Sequence, residues 1–165
     1  MDITNRTVFI AGATSGIGLE LARRFAAAGS TVIAGGRRTY LLDQAGAEGF
    51  STAPIDVTDQ SSVERARDAV LRSHPGLDTI VTMSGVMIPE DLRDPAHFSA
   101  AEKTIDTNLL GTIRVIDAFT PHLTLGHAEI TPTIEPFDFI PTRLAVCHLG
   151  RFCTCQRVLA EWRLE

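Results

Sequence analysis

Gly12, Gly16 and Gly18 follow a short apolar run, Val8-Phe9-Ile10, and open into an apolar-periodic stretch that begins at Ile17. Glycines placed between a strand and a helix suit the binding of a phosphate. Gly12 would let the chain reverse at the carboxyl end of the strand, Gly16 would let the backbone close on the anion, and Gly18 would let the helix pack tightly on the sheet. The free N–H groups of the helix N-terminus then face the negative charge. The spacing is Gly-x-x-x-Gly-x-Gly, whereas the dinucleotide fingerprint is Gly-x-Gly-x-x-Gly, so the physics is shared and the motif is not. The same glycines would also make a tight turn with no ligand, a reading that the strand before and the helix after weigh against.

Further chemistry-bearing residues recur where later strands should end. Arg37 and Arg38 follow Thr31-Val32-Ile33-Ala34 and a Gly35-Gly36 pair. In a dinucleotide-binding fold an acidic residue about twenty positions past the glycines holds the ribose 2′-hydroxyl, and an arginine there accommodates a 2′-phosphate. The pair is therefore either a solvated cationic patch or a determinant for NADP rather than NAD. Asp56 is open to two roles, a hydrogen bond to an adenine amino group or a cap on the next helix. Met83-Ser84-Gly85-Val86 is a second small-residue turn. Asn108 lies inside a long helical pattern, where asparagine serves as a polar spacer or as a site residue.

The elements that must hold these residues alternate regularly. Strands are expected over Val8–Ile10, Thr31–Ala34, Phe50–Ile55, with Pro54 weakening its pairing, and Leu77–Thr82. Helices are expected after Gly16, over Tyr40–Gly46, from a cap at Ser61 or Ser62 to Pro75, and from His97 through Leu110 to Pro121. Four strands alternating with helices predict an α/β fold with a doubly wound parallel sheet covered on both faces. A fifth strand should begin at His127, but Pro132, Pro136 and Pro141 follow and remove ladder donors. The chain thus divides into a binding domain over 1–130 and an irregular tail over 131–165, with a short helix possible at Cys155–Leu164.

At 165 residues, 44% hydrophobic and 21% charged, the chain has the size and composition of one soluble domain. A net charge of -5 with no long basic run argues against nucleic acid or an anionic membrane as partner. No stretch is apolar and long enough to span a bilayer, and the first residues lack a signal-peptide layout, so a cytoplasmic location is expected. The three cysteines crowd between Cys147 and Cys155 and do not make a disulfide framework.

Over Thr7 to Leu125 these residues resemble the short-chain dehydrogenase/reductase family. The resemblance is carried by Gly12-Ala13-Thr14-Ser15-Gly16-Ile17-Gly18, Gly36-Arg37-Arg38, Asp56-Val57 and Thr107-Asn108-Leu109-Leu110-Gly111. It implies a Rossmann-like fold that binds NADP(H), with NAD the less favoured cofactor, and transfers hydride between the nicotinamide and a small carbonyl or alcohol. It implies that Gly12, Thr14, Ser15, Gly16, Ile17, Gly18, Arg37, Arg38, Asp56, Val57 and Gly85 bind the cofactor, with Asn108 near the catalytic centre. Two departures stand out. Thr82-Met83-Ser84-Gly85 replaces the family's Asn-Asn-Ala-Gly, so the amides that brace neighbouring strands are missing. The family's proton donor, a Tyr with a Lys four residues later, is also missing, since the only tyrosine is Tyr40 and the only lysine is Lys103. An unperturbed phenol near pKa 10 is poorly matched to proton transfer at neutrality without such a partner.

Two readings of the tail follow. In one, the fold's last third is lost or replaced, as by a frameshift. Read one base late, the codons of Gln156 to Glu161 permit Ser-Glu-Ser-Leu-Arg and those of Ile134 to Pro136 permit Ser-Ser, both like family segments around catalytic residues. In the other, Cys147, His148, Cys153 and Cys155 hold zinc, but their spacing is poor for a tetrahedral site and no metal is expected. Two functions remain: an NADP(H)-dependent oxidoreductase by descent, inactive in this form, or a non-catalytic module that binds a nucleotide or a partner. A sheet left open at one edge would favour association of copies.

Overall fold

The computed structural model describes residues 3–89, 91, 93–94, 97–123 and 129–132, the last four as backbone only. Strand and helix alternate along it: β1 (Thr7–Ala11), α1 (Gly16–Ala27), β2 (Thr31–Gly36), α2 (Thr39–Ala47), β3 (Ser51–Pro54), α3 (Gln60–Ser73) and β4 (Thr79–Thr82). There follow α4 (Phe98–Ile105), a π-helical turn (Asp106–Leu110), α5 (Gly111–Phe119), a 3₁₀ turn (Thr120–His122) and β5 (Glu129–Pro132). The strands form one sheet of order β3-β2-β1-β4-β5, parallel throughout. In register, Val8 lies opposite Val32 on one side and Thr79 on the other.

Successive side chains of a strand point to opposite faces, so β1 feeds two cores at once. Val8 and Ile10 join Val32, Ala34 and Val81 beneath Ala22 and Phe25 of α1 and Ala45 of α2. Phe9 and Ala11 join Ile33, Ala53 and Ile80 beneath Val63, Ala66 and Val70 of α3 and Val115, Ala118 and Phe119 of α5. There the rings of Phe9 and Phe119 stack with centroids 4.9 Å apart and planes 17° from parallel. This is the doubly wound parallel sheet expected from the sequence.

Several boundaries differ from expectation. β2 runs on through Gly35 and Gly36 because both pair with β3. Pro54 ends β3, which pairs with β2 alone among the described strands, so its missing N–H falls where a sheet edge tolerates it. The cap of α3 is Asp59, not Ser61 or Ser62: its carboxylate accepts from the Ser61 N–H at 2.9 Å, while Ser62 Oγ accepts from the Asp56 N–H at 2.9 Å. The long helix expected from His97 is broken by the π turn. β5 forms despite its proline, with Pro132 opposite Thr82. Residues 133–165, including the candidate zinc ligands and the tail helix, lie outside the described residues. Among the described residues no helix is long and apolar enough to cross a membrane.

Candidate functional site

Because the strands are parallel, the turns after β1, β2, β3 and β4 emerge at one edge of the sheet. The two connections leading from β1 to β3 carry α1 and α2 on one face, and α3, leading to β4, lies on the other. The winding therefore reverses between β1 and β4 and opens a crevice at their carboxyl ends, the place where ligands bind in such sheets. All the residues singled out from the sequence, Gly12 to Gly18, Arg37, Arg38, Asp56, Val57, Gly85 and Asn108, lie on these turns or are bonded to them.

The glycine turn is built for close approach. Gly12 has φ +96°, and a Cβ there would stand 2.5 Å from the Met83 carbonyl carbon, so only glycine lets the turns after β1 and β4 touch. A Cβ on Gly18 would collide with the Gly12 carbonyl oxygen, which sets how deeply α1 sits on the turn. Gly16, at φ +57°, has nothing within 4 Å of where its Cβ would be. The space on that side of Gly16 is therefore open, and a phosphate could fill it. The N–H groups of Gly12 and Ala13 both donate to the Gly35 carbonyl, at 2.9 and 3.1 Å, and lash the turn to β2. Ser15 is the N-cap of α1, yet its side chain makes no capping bond, and Ile17 is half exposed beside it.

Two arginines flank the turn. Arg38 donates from Nη2 to Ser15 Oγ at 3.1 Å, and Arg37 Nη1 lies 3.9 Å from Asp56 Oδ2. Asp56 Oδ1 accepts from the Thr58 N–H at 3.0 Å and from Thr58 Oγ1 at 2.8 Å. Partial burial pushes the Asp56 carboxyl up, but the two Thr58 bonds and Arg37 outweigh it and hold the pKa below the ordinary aspartate value. The carboxylate is thus charged, with Oδ2 turned to Arg37.

Asn108 sits in the π turn and spends its amide on the loop after β4. Its Nδ2 donates to the Val86 carbonyl at 2.9 Å and its Oδ1 accepts from the Val86 N–H at 2.8 Å. Asn108 is therefore neither a plain spacer nor a free side chain; it braces the turn that holds Gly85, where an added Cβ would stand 3.5 Å from Asn108 Oδ1. The brace comes from a helix, and the family's strand-bracing amide at Thr82 has no substitute there: Thr82 Oγ1 is buried without a hydrogen-bond partner among the described residues. Thr58 and Arg114 escaped the sequence reading. Thr58, two residues after Asp56 in Asp-x-Thr, was recognisable as an Asx-turn partner. Arg114 reaches Asp106 and Val57 from eight residues further along the helix than Asp106, and its spacing pointed elsewhere.

The family model described as short chain dehydrogenase matches residues 6–130. An uncharacterized oxidoreductase, DltE, of Bacillus subtilis is 32% identical over 126 residues, which cover 74% of this chain and 50% of that protein. Serine 3-dehydrogenase of Agrobacterium fabrum is 31% identical over 120 residues, covering 71% of this chain and 48% of that protein. Among solved structures, serine dehydrogenase from Escherichia coli superposes with a TM-score of 0.69 at 28% identity, covering 75% of this chain and 59% of that one. An actinorhodin polyketide ketoreductase variant with NADPH gives 0.67 at 27% identity, covering 72% and 47%. The chain spans about half the length of the curated relatives it matches.

Proposed function

The chain belongs to the short-chain dehydrogenase/reductase family, oxidoreductases that bind a nicotinamide cofactor, and from that premise we propose that it binds NADP(H) in preference to NAD(H) across the crevice between β1 and β4. One observation carries the preference. Arg38 closes on Ser15 over the glycine turn, with Arg37 beside it, and the segment Gly36-Arg37-Arg38-Thr39 has no carboxylate to hold a free ribose 2′-hydroxyl. A 2′-phosphate there would take charge-assisted bonds from both guanidinium groups. The pyrophosphate would lie over Gly16 at the α1 N-terminus, where the open space and free N–H groups fit it. Asp56 and Val57 would line the adenine end, and Asn108 would hold the loop at the nicotinamide end.

When bound, the reduced nicotinamide supplies a hydride to a carbonyl. The proton that must follow has no donor in this chain's Tyr and Lys inventory: Tyr40 stands in the first turn of α2 on the adenosine side, and Lys103 lies in α4. Help of that kind is worth about 10²- to 10⁴-fold, so this chain is proposed to bind cofactor and to reduce small aldehydes or ketones far more slowly than its family does. The second reading, a non-catalytic nucleotide- or partner-binding module, is favoured by the commitment of both Asn108 amide atoms to the Val86 backbone.

Calorimetric titration with NADPH and with NADH tests the cofactor reading. NADPH should bind more tightly, and Arg37→Asp should reduce or reverse the preference. Equal affinities unchanged by that substitution would remove the assignment. Turnover of an aldehyde and ketone panel with NADPH at a rate comparable to an intact family member, abolished by Tyr40→Phe, would overturn the slow-catalyst reading.

A further inference from the structure

The helix behind the crevice makes its π turn where two loops of the site meet it. A π turn carries one residue more than the α-helical path, so the Gly111 N–H bonds back to the Asp106 carbonyl, five residues earlier. The extra residue also brings Arg114 over Asp106. Arg114 Nη2 lies 2.8 Å from Asp106 Oδ1, and its Nη1 donates to the Val57 carbonyl at 3.2 Å and to the Asp106 carbonyl at 3.4 Å. With its side chain only 25% exposed, against 56% for Arg37, Arg114 is held rather than solvated. Gly111 completes the seat: a Cβ there would stand 2.6 Å from Val57 Cγ2. From the same turn Asn108 reaches the opposite way to both backbone groups of Val86.

The π turn and the start of α5 therefore grip the loop after β3 through Arg114 and the loop after β4 through Asn108. In the strand order these loops stand on opposite sides of β1. We propose that Arg114, locked by Asp106, is a positioning residue that fixes the spacing between the adenine-end loop at Val57 and the nicotinamide-end loop at Val86. The proposal rests on the reading of the crevice as a dinucleotide site. It explains why a half-buried guanidinium is spent on two backbone carbonyls rather than left in water. A ligand that spans the crevice must find both loops at the right distance, whereas one that fills only the adenosine end meets the Val57 side alone. Lysine could keep the charge opposite Asp106 but not the planar fork that serves Asp106 and Val57 together.

The test compares NADPH with adenosine 2′,5′-bisphosphate, which carries the adenosine end only, on the full chain and on Arg114→Leu, Arg114→Lys and Asp106→Asn. Arg114→Leu should weaken NADPH about tenfold or more while changing the bisphosphate by less than about threefold, with Arg114→Lys and Asp106→Asn between. Hydrogen exchange of the Val86 amide should quicken in the same order, a readout that needs no nucleotide. Arg114→Leu combined with Asp106→Asn should be no worse than Arg114→Leu alone. Equal losses for both ligands would show a general structural role and overturn the proposal, as would an unchanged NADPH affinity or unchanged Val86 exchange. A wild-type chain that binds neither ligand would sink the dinucleotide reading together with the spacing role. Should Arg114→Leu fail to fold, the Asp106→Asn and Arg114→Lys results decide alone by the same criteria.

Discussion

At the scale of single residues, the glycines of the turn separate into two kinds. Gly18 is set by what surrounds it: an added methyl would meet the Gly12 carbonyl, so Gly18→Ala must displace α1 or the turn and should cost about 1–3 kcal/mol as an overpacked site does. Gly16 is set by its own backbone: φ is +57° with free space around it, so Gly16→Ala should cost about 1–2 kcal/mol from left-handed strain alone. Urea midpoints of the two variants check this, and retention of helix packing should be seen only for Gly16→Ala. Asp56 shows a charge effect with a definite sign. Its pKa in the folded protein is depressed from 3.8, so the stability it contributes is present above that value and is lost as pH falls through the lower folded one. The difference in urea midpoint between wild type and Asp56→Asn should therefore be largest at neutral pH and shrink as pH falls through and below the depressed folded pKa; because the carboxylate is partly exposed, the whole effect should be small. These residues were visible in the sequence because glycine spacing and strand-end position report backbone needs directly. Arg114 was not, because its importance depends on an extra residue in a helix, which shifts every later side chain and leaves no local mark.

At the scale of elements, the alternation of strands and helices was legible because each apolar run is short, bounded by Gly or Pro, and followed by a helical period. The break in the long helix was not. Asp106-Thr107-Asn108-Leu109-Leu110 suits an α-helix as well as a π turn in propensity, and the choice is made by contacts to Val57 and Val86 that lie far away in sequence. Nor was the true cap of α3, since Asp59, Ser61 and Ser62 all suit the role and the outcome turned on Ser62 being engaged by the Asp56 N–H. β4 carries a conflict of its own. Thr82 buries a hydroxyl, 3% exposed, that finds no partner among the described residues. Thr82→Val keeps the shape and removes the unpaired group, so the variant should unfold at an equal or higher urea concentration. A clear drop would mean that the hydroxyl is satisfied by some group outside the described residues.

At the scale of the molecule, the two cores share a single strand. β1 gives Val8 and Ile10 to one and Phe9 and Ala11 to the other, so neither helical layer is independent of the other. The arrangement has a consequence for the order of assembly. The Arg6 N–H meets Ser30 Oγ across 24 residues, whereas the Thr7 N–H meets Asp78 Oδ2 across 71. Closing the shorter loop loses less chain entropy, and its α1 crossover can form while it closes. The β1–α1–β2 unit should accordingly be present in the folding transition state before β4 docks. Val32→Ala, in β2, should slow refolding by most of its equilibrium destabilisation, while Val81→Ala, in β4, should act mainly by speeding unfolding. Stopped-flow refolding and unfolding of the two variants would reverse this order if the sheet instead nucleates at β4. If the cofactor lies between β1 and β4 as proposed, its site would then close after the β1–β2 seam during folding and open before it when the native state breathes.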